Sequence, residues 1–385
     1  MTDRDSALSI RILNSIRDIP TDDWDACAGT ACPFVSHGFL TALEDSGSVA
    51  PAEGWMPCHV MAVESIDRVV GCVPLYLKSH SQGEYVFDHG WADAFERAGG
   101  RYYPKLVSAV PFTPVTGPRL LVRPGENRDR VRALLIAGML QAAEHFGVSS
   151  LHVNFPHEDE WRTLGSYGFL QRLGHQFHWH NRGYETFDDF LAALSSRKRK
   201  TIRKERRSIT EAGISMHRFT GDALTPEHWE AFYAFYRNTT DRKWGWDYLK
   251  EPFFTMLHER MADRVVLVMA EWQGQWVAGA LNLAGTEALY GRNWGCSARL
   301  RNLHFEACYY QAIEHAIENR ISRVEAGAQG PHKLQRGYLP VRTCSAHWIA
   351  HDGLRRAVSE FLDHEQKAVS DEMGILDGFT PFRKG

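Results

Sequence analysis

Glu325 lies in the short stretch 323–326, Arg-Val-Glu-Ala, between two apolar residues of a segment that reads as a buried strand. A carboxylate held there, with its pKa raised by burial, is suited to act as a general base, directly or through water. Its competing role is a structural ion pair with Arg323 or Arg292. On the preceding strand Tyr290, Arg292, Asn293 and Trp294 form a polar and aromatic cluster. Strand alternation places Tyr290 and Arg292 on one face and Asn293 on the other, so only part of the cluster can line a site. His304 and Glu306 open the next helix, where Glu306 is placed to face the helix dipole. In the first half Asp88, His89, Trp91 and Asp93, with Tyr102, Tyr103 and Lys105, bring charge and aromatic surface beside a proline-rich segment. That mixture suits recognition of a polar acceptor, and it would also serve to cover an irregular loop. His175, His178 and His180 invite a metal reading. No nearby carboxylate or cysteine completes a ligand set, and in a chain with 19 histidines chance clustering accounts for the spacing, so no metal is expected.

A different chemistry is offered by residues 197–207, RKRKTIRKERR, with eight basic residues and one acid in a chain whose net charge is −3. A basic island in an otherwise acidic protein suits a polyanion contact, and Arg199, Arg203 and Arg206 are the candidate phosphate contacts; the alternative is a solvated linker helix. Nucleotide-binding Gly-x-Gly-x-x-Gly, a P-loop and a Ser-His-Asp pattern are all absent.

The elements that must position these residues follow from length and periodicity. The 385 residues suggest two domains, and 44% hydrophobic with 24% charged residues excludes disorder and repeat tracts. Apolar runs such as 133–140 and 265–270 fall far short of the ~20 residues that span a bilayer. The polar start and seven scattered cysteines point to a reducing cytoplasm. Strands are expected at 8–13, 59–64, 69–78 (the two joined by a hairpin at 65–68), 83–89, 150–155 and 177–184. The first-half helices are expected at 21–27 with Thr21 as N-cap, 36–45, 93–98 and 128–146, the last closed by Gly147, with 104–122 irregular. The second half repeats the order: strand 214–219, helices 226–237 and 247–260, strands 265–272, 276–284 and 287–294, helix 305–319, then strands 323–326 and 343–350. One long helix over 187–211, capped by Thr186, joins the halves.

This doubled element order resembles the GNAT acyltransferase fold. Two copies in one chain resemble the Fem-type peptidoglycan aminoacyl transferases and their BioF2-like relatives. Three stretches carry the likeness: FDDFLAALSSRKRKTIRKERRSITEAG (187–213), LHFEACYYQAIEHAIENR (303–320) and RVEAGAQGPHKLQRG (323–337). The strings HGWAD (89–93), YYPK (102–105), PFTPVTGPR (111–119) and the terminal PFRKG are similar to a Fem-like group described as peptidoglycan biosynthesis/recognition. The resemblance implies an α/β fold of tandem GNAT type, with domains at 1–186 and 214–385 and a basic connecting helix at 187–213.

What the resemblance implies chemically is N-acyl or aminoacyl transfer from an activated carrier to an amine. The splayed strands of the second half would form the slot, with Lys333 stabilising negative charge and Glu325 as base. The spacing Lys333-x-x-x-Gly337 fits the family pattern, although His332 replaces the usual aromatic residue and Tyr338 follows. Substrate-binding candidates are therefore Asp88, His89, Trp91, Tyr102, Tyr103, Lys105, Tyr290, Arg292, Trp294, His332 and Tyr338. Coenzyme A enzymes of the GNAT fold carry Arg/Gln-x-x-Gly-x-Gly/Ala, whose amides cradle a pyrophosphate at a helix N-terminus. The nearest string here, Arg292-x-x-Gly295-x-Ser297, ends in serine and precedes the helix by several residues. No permanently bound cofactor is expected; the cosubstrate is aminoacyl-tRNA or acyl-CoA, and the acceptor an amine-bearing small molecule or peptide. Two other readings stay open: a conventional acyl-CoA N-acetyltransferase, and a non-catalytic module that recognises cell-wall peptide or RNA.

Overall fold

The computed structural model describes residues 8–64, 68–243, 247–298, 300–327 and 330–383. Most of the hairpin turn expected at 65–68 lies outside the described residues. The elements run β1 (Ser9–Leu13), α1 (Thr21–Ala28), α2 (His37–Asp45), β2 (Trp55–Pro57), β3 (His59–Val63), β4 (Val69–Val73), β5 (Tyr76–Lys78), α3 (His89–Arg97), β6 (Lys105–Ser108), β7 (Leu121–Val122), α4 (Arg128–Phe146), β8 (Ser150–Asn154), α5 (Glu158–Ser166) and β9 (Leu170–His180). They continue with α6 (Phe187–Ala193), α7 (Ser196–Glu211), β10 (Ile214–Phe219), α8 (Pro226–Lys243), α9 (Glu251–Met261), β11 (Val265–Trp272), β12 (Gln275–Ala284) and β13 (Ala288–Cys296). The last elements are α10 (Leu303–Phe305), a π turn (Glu306–Tyr310), α11 (Gln311–Glu318), β14 (Arg323–Glu325), a 3-10 turn (Pro331–Arg336), β15 (Leu339–Ile349) and α12 (Asp352–Asp377).

The chain forms two compact units, Met1–Gly174 with Thr343–Val369 and His175–Arg342 with Ser370–Gly385. These differ from the halves expected at 1–186 and 214–385, and the helices of 187–213 belong to the second unit. The reason is an exchange of strand ends. Ser345–Ile349 of β15 pair antiparallel with Ser150–Asn154 of β8 in the first unit. Arg323–Glu325 of β14 pair with His178–His180 of β9 in the second.

In the first unit β1, β3, β4 and β7 form one antiparallel sheet, and β2, β5, β6, β8 and the end of β15 a second. β6 and β8 are parallel, joined through α4, whose buried Leu135, Ile136 and Met139 pack among Val60, Val73 and Leu151. In the second unit the order is β10-β11-β12-β13-β14-β9, antiparallel except for the β13–β14 pair. Its core gathers Trp179, Phe190, Leu289, Ile313, Val324 and Tyr338.

Several local expectations change for identifiable reasons. Segment 83–89 forms no strand, because Glu84 and Asp88 turn inward to a buried lysine. Pro74 divides 69–78 into β4 and β5. Thr21 is the first helical residue, and Pro20 holds the cap position. The single helix expected at 187–211 is two. Thr186 caps α6 in a reciprocal capping box with Asp189, then Leu194 turns extended and the chain restarts as α7. The break is held by Phe382 bridging Leu194 and by Ser195 N–H donating to the Pro381 carbonyl (2.9 Å). The irregular segment 104–122 contains β6 and β7, and α5 and α12 had no counterpart in the periodicity reading.

Candidate functional site: a splayed strand pair in the second unit

β13 and β14 are paired in parallel only where Ala288–Tyr290 meets Arg323–Glu325. Beyond Tyr290, β13 follows β12 as far as Cys296, while β14 ends at Glu325, so the ladder between the two strands stops there. A register shift between Leu281 and Asn282 makes Arg292 the extra residue of a bulge. Simple alternation of Tyr290, Arg292 and Asn293 is therefore interrupted at the point where the strands separate. Past the end of β13 lies a cavity of about 420 Å³ lined by Trp294, Cys296, Ala298, Leu300, Arg301, Leu303 and His304. The His304 ring links that lining to the opposite wall, with ring centroids 5.3 Å from Trp294, 5.3 Å from Tyr309 and 6.1 Å from His332.

Lys333 is 2% exposed, and its ammonium donates to the Gly327 carbonyl at 2.8 Å, just after β14. Burial, with the neighbouring Arg292 adding to it, lowers its pKa to about 7. Gly337 ends the Lys333 turn at φ +90°, and an added Cβ would lie 2.8 Å from the Phe190 ring. The Lys-x-x-x-Gly spacing is thus a backbone requirement of the turn. His332 is exposed, its Nε2 2.9 Å from the Tyr309 hydroxyl, while Tyr338 is fully buried beside Tyr309.

Glu325 is buried and accepts from Arg323 Nε at 2.9 Å, so the structural ion pair is present. Its other oxygen, Oε2, has no hydrogen-bond partner among the described residues and lies 3.8 Å from His178 Nε2. Burial drops the His178 pKa to about 4, so this ring is neutral near pH 7. His178 is thereby placed at the site although its spacing alone gave no reason to choose it. Glu306 faces more than a helix dipole. It is buried, receives Arg206 Nε and Nη2 at 3.1–3.2 Å, and accepts from Gln311 at 2.8 Å. Periodicity took 305–319 as an unbroken helix and so overlooked the π turn that brings Tyr309 and Tyr310 to this wall. Such turns concentrate at functional sites.

The first-half candidates divide. Asp88, Tyr102 and Lys105 meet in a buried cluster within the first unit. Lys105 Nζ donates to Asp88 Oδ2 (2.5 Å), Glu84 Oε2 (2.9 Å) and Ser81 Oγ (2.7 Å), and Tyr102 donates to Asp88 Oδ2 (2.7 Å). Burial alone would lower Lys105, but the two carboxylates outweigh it and its pKa rises. Tyr103 reaches the cluster at its edge, its hydroxyl 2.8 Å from Ser81 Oγ. Trp91 is buried against His347 and under the Arg172 guanidinium, whereas His89 is exposed beside Phe87. His152 and His347 share a 2.6 Å Nδ1–Nδ1 contact. His152 and His347 went unselected because strand pairing brings them together, and Ser81 and Glu84 because they reach Lys105 from an irregular loop that no local pattern reveals.

On α7, Ile202 and Ile209 anchor the helix. Arg206 is taken up by Glu306 and Glu314 and lies 4.5 Å over the Phe187 ring, and Arg203 pairs with Asp188 at 3.0 Å. Arg199 is half-buried. The exposed cations of the run are Arg197, Lys200, Arg203, Lys204 and Arg207, so Arg206 is a structural residue, not an open phosphate contact. Gly295, in the string nearest to a pyrophosphate cradle, has another use. A Cβ there would fall 2.1 Å from the Phe235 carbonyl oxygen, so the glycine admits α8 against β13.

His175 lies 4.0 Å from Glu372, and His180 takes part in the β9–β14 pairing. Among the described residues no three His, Cys, Asp or Glu side chains group at metal-binding separation, and no helix is long and apolar enough to cross a membrane.

A family model described as FemAB-like, peptidoglycan biosynthesis/recognition, matches residues 15–384. Among solved structures the chain is similar to FemX, with TM-score 0.56 and 10% identity over 91% of this chain and 100% of that one. It is similar to L-PGS from Bacillus licheniformis, with TM-score 0.51 and 11% identity over 93% and 99%. It also resembles the C-terminal domain of a putative lysylphosphatidylglycerol synthetase from Agrobacterium fabrum, with TM-score 0.53 and 8% identity over 89% and 94%. At these identities the likeness concerns the fold, which is α/β of the tandem GNAT type. A search of curated proteins finds no match.

Proposed function

Because the chain belongs to the FemAB-like peptidoglycan biosynthesis/recognition family, we propose that it is an N-acyltransferase, moving an aminoacyl or acyl group from an activated carrier to an amine in the opening between β13 and β14. The observation that carries this reading is Lys333, a buried ammonium tethered, among the described residues, to a backbone carbonyl just past the end of the parallel β13–β14 ladder. When an amine attacks an acyl carbonyl, the carbonyl oxygen gains negative charge, and a preplaced N–H donor in a dry site stabilises it. Lys333 supplies that donor in its protonated form. Glu325 accepts the amine proton through water at Oε2, and neutral His178 beside it keeps the carboxylate from being locked in a second salt bridge. Trp294 lines the cavity past β13, Arg292 neighbours Lys333, and His332 lies across the His304 ring, while Tyr290 and Tyr338 are buried in the packing behind them.

The donor class is the finer part of the proposal. The close packing of Gly295 argues against a CoA pyrophosphate cradle at that string, and the exposed cations of α7 suit a phosphate backbone. We therefore favour aminoacyl-tRNA over acyl-CoA. The test is a salt titration of tRNA binding to the wild type and to a variant with Arg197, Lys200, Lys204 and Arg207 changed to Glu. The expected log–log slope is about 0.7–0.9 per phosphate neutralised, and the variant should lose binding. No measurable binding at low salt would transfer the donor role to an acyl thioester, which mass spectrometry of copurifying small molecules would then identify.

A further inference from the structure

The run 197–207 contains a single acid, Glu205, and that acid is turned inward. Its Oε1 accepts from Arg336 Nη2 at 2.8 Å, and its Oε2 accepts from the Tyr310 hydroxyl. Arg336 Nε donates to the same hydroxyl at 3.0 Å, which closes a ring of three hydrogen bonds. The third nitrogen of Arg336, Nη1, donates to the carbonyl of His332 at 2.9 Å, and the guanidinium lies 3.4 Å over the Phe305 ring. Arg336 and Tyr310 are buried. Four elements thus meet at one guanidinium: α7, α10, the π turn and the 3-10 turn that carries Lys333. The bond to the His332 carbonyl fixes the residue just before Lys333. A planar fork with stacking above it restricts rotation in a way that a lysine ammonium would not.

We propose that Glu205, Arg336 and Tyr310 are positioning residues, a clamp by which the basic helix holds the Pro331–Arg336 turn so that Lys333 stays buried at the mouth between β13 and β14. The clamp rests on the role assigned to Lys333. The charged and titratable groups facing that ammonium are Arg292 from β13, Cys308 from the π turn and His332 on its own turn; no carboxylate pairs with it among the described residues. Charge and clamp therefore make opposite demands. Removing the Glu205 carboxylate by charge alone would lower the pKa of a nearby ammonium. Releasing the turn would expose Lys333 and raise its pKa.

The experiment is pH-dependent acetylation of Lys333 by acetic anhydride on the full chain, quantified by mass spectrometry, with thermal melting to verify folding. The wild type should label with a midpoint near 7. Glu205→Gln should move that midpoint upward by about one unit or more. Tyr310→Phe, which keeps the ring and removes only the hydroxyl, should move it upward by less. Arg336→Lys should fail to restore the wild-type midpoint. A depressed wild-type midpoint that stays unmoved, or falls, in both Glu205→Gln and Tyr310→Phe overturns the clamp. An ordinary lysine midpoint in the wild type overturns the reading of Lys333 itself.

Discussion

Lys105 and Lys333 are both removed from water, one in each unit, yet their surroundings make them opposite chemical objects. Lys105 faces two carboxylates and a serine hydroxyl, and its pKa rises above that of a free lysine. Lys333 faces one carbonyl and, nearby, an arginine, and its pKa falls to about 7. Burial penalises both ammonium groups; only Lys105 has the opposite charges that overcome it. The first is a permanent cation that ties Glu84 and Asp88 together. The second exchanges its proton near neutrality, and among the described residues its ammonium has no side-chain hydrogen-bond partner. The strand pairs differ in parallel fashion. Past the parallel β6–β8 pair, the Gly117 N–H bonds to the Phe155 carbonyl and the Arg119 guanidinium binds the Asn154 and Val115 carbonyls. The proline-rich segment thereby lines the end of β8 in the first unit. Buried lysine is thus no mark of a catalytic group; a buried lysine without a carboxylate, at an open strand pair, is the stronger sign.

The largest effect should come from breaking the Lys105 cluster. Lys105→Met leaves two buried carboxylates without their counter-ion, and removing one partner of a buried pair costs about 3–5 kcal/mol. Urea denaturation should show a loss of that size in the first unit, while Lys333 keeps its low labelling midpoint. A loss under about 1 kcal/mol would mean that the cluster is not the structural tie described.

Lys333→Ala should act on rate. Loss of one donor to a developing oxyanion lowers kcat by about 10²–10³, with folding retained. Since the donating form is the ammonium, wild-type kcat should decline as pH rises through about 7, the pKa that burial imposes. A rate that instead climbs through that range would assign Lys333 as a base. Glu325→Gln, which keeps shape and the Arg323 contact but not proton uptake, should cost about 10²-fold, the lower end for general-base removal.

How far the amino-acid sequence foretold this follows from the range of the signals. The local pattern located α4 at 128–146 and the strands at 214–219 and 265–272, because a long helix closed by Gly147 and a buried apolar run such as Val265–Ala270 are written in neighbouring residues. It gave no notice of the break at Leu194, which depends on Pro381 and Phe382 nearly 190 residues away. Lys333 was singled out by the family resemblance, whose Lys-x-x-x-Gly pattern it fits; spacing alone did not separate it from an exposed loop lysine, and the structure explains the spacing as a turn that requires Gly337. Glu205 and Arg336 were not singled out, since they are 131 positions apart and one looks like the lone exception in a basic run. His152 and His347, 195 positions apart, become neighbours only through the register of β8 and β15. Proximity in the chain grouped Asp88, His89, Trp91, Asp93, Tyr102, Tyr103 and Lys105; of these Asp88, Tyr102 and Lys105 meet in a buried ion cluster, which residue types alone do not distinguish from a binding surface.

The smallest effect sharpens the contrast through the pH dependence of stability. In the unfolded chain Lys333 titrates near the ordinary 10.5, and in the folded chain near 7. Between those values the unfolded state binds a proton that the folded state does not, so unfolding free energy rises with pH, by up to about 1.4 kcal/mol per pH unit from this one group. Below pH 7 both states are protonated and the full cost of a buried cation is present. Lys333→Met should therefore flatten the wild-type stability profile between pH 8 and 9 and raise stability at pH 6. Lys105 has the opposite sign, because its folded pKa lies above the unfolded one. Its contribution is complete below pH 10.5 and is lost only as pH climbs through the folded value, so Lys105→Met should lower stability almost equally at pH 8 and pH 9. Lys78, brought to about 7 by burial over the Trp55 ring, adds a slope of the Lys333 kind in the first unit, and it is present in both variants. Urea titrations of the three proteins at pH 6, 8 and 9 read the difference directly. Equal slopes between pH 8 and 9 in the wild type and Lys333→Met would show that Lys333 is an ordinary surface-like lysine and would end the contrast between the two units.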